Sequence, residues 1–425
     1  MIQVEGKCII PSGDICDNRK QWYAEPKGFK RMEQRHVQSE SDFSNGIWRR
    51  ESDDNGKTWG SWHDIYQESF RTIGDNEVLN INFEPTVHHP INGHALCCGM
   101  QRIFLNGHTE AYKKYWATGE DTLIDHCFLV IKMPDGSIVK QLISYESKTE
   151  YDSEKINDPE YLSQDRAYFG QIYILKNGDI MFPICADIRY CCKTLGLDVM
   201  DVFPSCPQVT NGLIVVRGKW NTAQQRYELS YSRPVVLSDL QSSRGVMEPT
   251  LAELPNGRII VVVRGSNVVR PAWNTRISKK APGFKWYCYS DDDGNTFTPL
   301  LPWHFDTREV IYSSSTLSTL IHSDKNGKTY WIGNITDPCE TDGNYMRWPL
   351  YIGEVTLDGL LKKDSLVMID TKREGEADGV QLSNFEILQD RETGTIELRL
   401  AKIGQHPNKP VWNCESWVYS IIVEE

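Results

Sequence analysis

The chain has 425 residues, 40% of them hydrophobic and 24% charged, with a formal net charge of -12. That balance argues against a phosphate-backbone partner, so nucleic acid is set aside. No apolar run of about 18 residues is present to cross a membrane as a helix, and no linker, low-complexity stretch or charge block divides residues 1–425, which read as one domain.

In chain order the elements read as short strands. Residues 2–10 are apolar enough to be a strand but have no partner beside them in sequence. A first strand, a glycine turn and a second apolar run then recur around Gly13, Gly93, Gly178, Gly257, Gly327 and Gly394, as hairpins do. Residues 125–133 turn at Pro134-Asp135-Gly136 into 137–139, and residues 212–216 are followed by 227–231, so both pairs read as outer hairpins. Val, Ile, Tyr and Trp dominate these segments, and no helical spacing persists for three turns. The last unit offers 381–388, 395–401 and 417–423 and lacks an outer strand. Residues 2–10 can supply it, which closes a ring and leaves no free sheet edge. The expected fold is therefore all-β, a six-bladed propeller of four-stranded antiparallel blades whose terminal strands pair.

Two matching frames stand out within the repeat. Glu84-Pro85-Thr86 leads to Pro90-Ile91-Asn92-Gly93, and Glu248-Pro249-Thr250 leads to Pro255-Asn256-Gly257. Each puts a carboxylate at the mouth of a strand whose body is apolar, and two acids so placed suggest a site. Tyr168 and Phe169 hold the corresponding offset in the third unit, which makes Tyr168 a sugar-facing aromatic or phenolic acid. His88, with His89, His94 and His108, lacks the spacing of a metal site, so rim hydrogen bonding is the expectation for these residues and no metal is assigned. Segments 185–207, 267–283 and 334–347 are longer than a hairpin needs. They carry Asp187, Arg189, Trp273 and Tyr345, residue types suited both to sugars and to contacts between copies of the chain, so a homo-oligomer stays open. The twelve cysteines show no CxxC spacing and read as buried free thiols.

Ser52-Asp53-Asp54-Asn55-Gly56-Lys57-Thr58-Trp59 and Ser290-Asp291-Asp292-Asp293-Gly294-Asn295-Thr296-Phe297 resemble the Asp-box of the sialidase superfamily. The resemblance implies a six-bladed propeller with boxes on blades one and four. It also implies a site: an Asp general acid before the first box, three Arg that grip a substrate carboxylate, and a Tyr nucleophile activated by a Glu. Asp42 lies where the acid belongs, Glu248 aligns with the Glu, and Arg264 and Arg347 stand where the second and third Arg belong. For the first Arg only Arg19, Arg31 or Arg35 remain, reaching from a loop, and Arg35 is taken as the candidate. No Tyr begins the sixth unit, so an ordinary sialidase is not expected.

The residues support acid-base hydrolysis by Asp42, Glu84 and Glu248 instead. The substrate side is assigned to Arg264, Arg347, Tyr168, Tyr345, His88 and Arg35. The expectation is an exo-acting glycoside hydrolase on an acidic or deoxy-sugar oligosaccharide, needing no cofactor. A lyase acting on a uronate and a noncatalytic carbohydrate-binding propeller are the alternatives. With no leader at residue 1 the location expected is cytoplasmic if that start is native, and secreted or periplasmic if a leader has been removed.

Overall fold

The computed structural model describes residues 1–11, 16–39, 44, 46–65, 70–81, 84–147, 155–168, 170–204, 211–269, 273–338 and 343–424. These form six antiparallel sheets arranged as a six-bladed β-propeller of the sialidase-like kind. Blade four shows the plan: Met247–Glu253, Ile259–Arg264, Lys285–Ser290 and Leu301–Pro302 pair in that order. All six residues of Ile259–Arg264 are buried, as a β-branched strand covered on both faces must be.

The turns at Gly93, Gly178, Gly257, Gly327 and Gly394 all have positive φ, the conformation that a tight hairpin asks of glycine. The first unit departs from that reading. Gly13 lies outside the described residues, and blade one turns over residues 24–30, between Cys16–Tyr23 and Arg31–Gln38. Its turn carries Gly28 in a loop without an Asn-Gly signal, which is why the spacing pointed upstream.

Blades two and three exceed four strands. In blade two the hairpin Phe70–Ile73 and Asn76–Ile81 extends the sheet beside Val87–His88, and in blade three the inner strand is split into Ala167–Tyr168 and Tyr173–Ile174. One helix of three turns, His108–Thr118, also stands against the expectation of none. It buries only Ala111 and Tyr115, too few positions to write a periodic pattern.

Ile2–Ile10 pairs antiparallel with Ser416–Val423 and supplies the outer strand of blade six. Charges lock the same seam. Arg31 is buried and bonds Glu397 at 2.9 Å, Asn55 at 2.8 Å and Asp390. Large apolar clusters run between blades two and three, three and four, four and five, and five and six, while the one between blades six and one is small, Cys16 with Ala401, Ile403 and Cys414. Blade one instead places guanidiniums over rings: Arg50 over Trp62 and Trp59, Arg35 over Trp48 and Arg49 over Trp22.

The two Ser-x-Asp-x-Gly-x-Thr turns follow the third strands of blades one and four and have the same bonding. In the first, Gly56 N–H donates to Ser52 Oγ at 2.8 Å and Thr58 Oγ1 to Asp54 at 2.6 Å. In the second, Gly294 N–H donates to Ser290 Oγ at 2.9 Å and Thr296 Oγ1 to Asp292 at 2.6 Å. These bonds all close within four residues, two from backbone N–H to a serine hydroxyl and two between side chains, so the turns serve the fold.

Candidate functional site

Antiparallel pairing of the first two strands of blade four sets Met247 opposite Arg264. The register shifts between Met247 and Thr250, and within this bulge Glu248 takes a positive φ of 41. A bulge of this kind re-aims one side chain, and a positive φ on a residue other than glycine stores strain of about 1–3 kcal/mol. The side chain so aimed meets its blade-mate: Arg264 Nη1 donates to Glu248 Oε1 at 2.6 Å, while Glu248 Oε2 has no hydrogen-bond partner among the described residues.

Two further guanidiniums join this pair. Arg347 is held by its own loop through Nε to the Asn344 carbonyl at 2.8 Å, and by blade six through Nη1 to Gln381 Oε1 at 2.9 Å and Ser383 Oγ at 3.2 Å. Asn334, fully buried, pins that loop by donating to the carbonyls of Arg347 and Pro349 at 3.1 and 3.0 Å. Arg264 reaches the same loop at Asn344 Oδ1, 3.3 Å, and also bonds Ser315 Oγ at 2.8 Å. Arg244, four residues before Glu248, lies over the Trp116 ring at 5.6 Å, and its buried Nε has no hydrogen-bond partner among the described residues.

The charges act on one another. Burial alone would push the Glu248 carboxyl up, but Arg264, Arg347 and Arg244 together hold it below the ordinary glutamate value. Burial and the neighbouring Arg264 pull Arg347 down to about 10, and the same two causes lower Arg244. Three guanidiniums thus face one carboxylate in a chain that is acidic as a whole. Tyr168 stands at the end of blade three's split inner strand, with Arg102 over its ring at 5.9 Å. Burial, followed by the charge of Glu248, raises its phenol well above the usual tyrosine range, so it remains a hydrogen-bond donor.

Of the residues singled out from sequence, Glu248, Arg264, Arg347 and Tyr168 come together, and Tyr345 stands beside Arg347 with 50% exposure. Glu84 is 42% exposed and pairs with Arg49 of blade one at 2.8 Å. The structure does not bring the other two to the cluster. Arg35 is on a strand rather than a loop, paired with Asp17 at 2.6 Å, on a face it shares with Arg31. Arg19 lies on that face too and pairs with Asp17 at 3.2 Å, so none of the three proposed first arginines joins Arg264. His88 Nε2 donates to the Tyr23 carbonyl at 2.8 Å, at the opposite end of blade one's inner strand. Asp42 and Phe169 lie outside the described residues.

Sequence reasoning passed over Arg244 and Gln381. Arg244 precedes the Glu-Pro-Thr frame by four residues, so scanning for basic residues upstream of each frame would find it. Gln381 stands one residue before the segment where a Tyr was sought, and it presents an amide to Arg347.

No protein-family model and no curated protein matches the chain. Among solved structures it is similar to a protein of unknown function from Dyadobacter fermentans, with TM-score 0.56, 14% identity, and 100% of this chain and 99% of that one covered. It is also similar to a mutant of the NanB sialidase from Streptococcus pneumoniae, with TM-score 0.54, 11% identity and 97% and 70% covered. An α-L-arabinofuranosidase from Fusarium graminearum follows with TM-score 0.46, 11% identity and 98% and 97% covered. At identities of 11–14% these likenesses are of fold, a six-bladed β-propeller of the sialidase-like kind.

Proposed function

We propose that the protein is a glycoside hydrolase that removes an acidic sugar from the end of an oligosaccharide. The observation that carries this reading is the cluster of three guanidiniums around one carboxylate, in which Glu248 Oε2 and Arg244 Nε have no hydrogen-bond partner among the described residues. Buried polar atoms are ordinarily satisfied, so two such atoms beside an excess of positive charge suit an anionic ligand bearing hydroxyls. Arg264, Arg347 and Arg244 would hold the carboxylate. Glu248, kept ionised, would accept a proton from water or from the neighbouring phenol of Tyr168. The leaving oxygen needs a proton donor, and Asp42 is proposed for it, since Glu84 is taken up by Arg49. Release of sugar from aryl glycosides of uronic and nonulosonic acids, with no release from neutral glycosides and none by Glu248→Gln, is the expected result. Equal turnover of neutral glycosides would overturn the assignment.

The amide of Gln381 at the head of blade six favours a second reading, a noncatalytic propeller that binds the same acidic sugar. That reading expects binding which survives Glu248→Gln and no turnover by either protein. A lyase acting on a uronate would instead release an unsaturated, ultraviolet-absorbing product.

A further inference from the structure

Lys285 begins the third strand of blade four, directly opposite Arg264 in the register. Its side chain is 0% exposed, and Nζ donates to the Thr316 carbonyl and, at 3.3 Å, to Thr316 Oγ1. Among the described residues no carboxylate is bonded to it. The charged groups that act on it are Arg264 on the adjoining strand, Glu248 on the inner strand and Arg347 from blade five. Burial and the two guanidiniums outweigh the single carboxylate and bring the amine down to about 7. A buried lysine with no bonded carboxylate among the described residues, beside two arginines, is unexpected as a stabilising device, because its charged form is desolvated among like charges.

An incoming anion changes that balance. It adds negative charge on the side where the guanidiniums converge, offsets their repulsion of the ammonium and favours protonation of Nζ. We infer that Lys285 is a proton-coupled element of the anion pocket: an acidic ligand binds together with one proton, taken from solvent onto the Lys285 amine. The inference rests on the reading that the arginine cluster takes an anion. It adds that affinity for an acidic sugar falls as pH rises, although the arginines themselves stay charged.

The test uses the full chain and three probes, glucuronate, N-acetylneuraminate and inorganic sulfate. Titration calorimetry near pH 8 in triethanolamine and in Tris, amine buffers that differ in ionisation enthalpy and add no competing oxyanion, reads the protons taken up per anion bound. Wild type is expected to take up most of one proton and to lose affinity by up to about tenfold per pH unit above neutrality. Lys285→Met is expected to bind with no proton uptake and a flat pH profile. Binding by wild type without proton uptake overturns this inference and leaves the anion site standing. If none of the three probes binds, the anion site falls and the inference falls with it. Should Lys285→Met not fold, lysine-selective carbon-13 NMR of wild type decides: one lysine must titrate near neutrality and shift its midpoint upward with the anion. Ordinary titration of every lysine overturns the inference.

Discussion

The two Glu-Pro-Thr frames begin alike and end in different surroundings. Glu84 lies at a seam where blade one offers polar and aromatic side chains, and it meets a single guanidinium, Arg49, with both partners in partial contact with water. Glu248 lies between apolar blades, 13% exposed, with Arg264 bonded to it and Arg347 and Arg244 within electrostatic reach. A charge is cheap at the first position and expensive at the second, where only the added guanidiniums hold the carboxyl ionised. The same local sequence therefore makes an ordinary rim ion pair in one blade and a buried carboxylate held ionised among guanidiniums in another.

The largest effect is expected from breaking the buried pair. Arg264→Met leaves Glu248 without its hydrogen-bonded partner and should cost about 3–5 kcal/mol in chemical denaturation. Full stability in that variant would show that the carboxylate is better hydrated than the structure places it. The effect on turnover comes next: Glu248→Gln should lower kcat by about a hundredfold or more with KM little changed. Glu84→Gln should lose far less, and an equal loss would erase the distinction between the frames.

The pH dependence sharpens the same point. Because folding lowers the Glu248 pKa, its contribution is present above the unfolded glutamate value of about 4.3 and lost as pH falls through the lower folded value. The stability difference between wild type and Glu248→Gln should accordingly shrink in acid, as followed by thermal unfolding from neutral to acid pH.

Arg244→Met probes the like-charge crowding. Removing one of three mutually repelling guanidiniums should raise stability by about 1 kcal/mol while weakening acidic ligands roughly tenfold, a trade typical of functional sites. Loss of both stability and binding would instead assign Arg244 a packing role against Trp116. The smallest effect belongs to the exposed seam: a double-mutant cycle on Arg49 and Glu84 should return less than about 1 kcal/mol of coupling. A coupling as large as that of Arg264 with Glu248 would make the two seams equivalent.

Much of the fold can be read from the chain because its signals are local. Glycines in positive φ mark five of the six inner turns, and the short sixth unit points to the strand Ile2–Ile10 as its missing edge. Glu248 and Arg264 are legible for the same reason, since each has a defined place in one hairpin, and hairpin pairing brings the two ends of its strands together. The first unit and the His108–Thr118 helix are not legible, because neither carries a turn signal or a long apolar period.

What only the tertiary structure decides is which charges meet across blades. Alternation along a strand says that Asp17 and Arg19 share a face. It does not say that the next strand sets Arg35 opposite Arg19, so that Asp17 takes both arginines. Nor does it say that Arg244, from a loop, completes a cluster with Arg264 and Arg347 above the buried amine of Lys285. Those encounters depend on how neighbouring sheets pack and how their long loops fold back, and residues far apart in sequence carry no local pattern that records them.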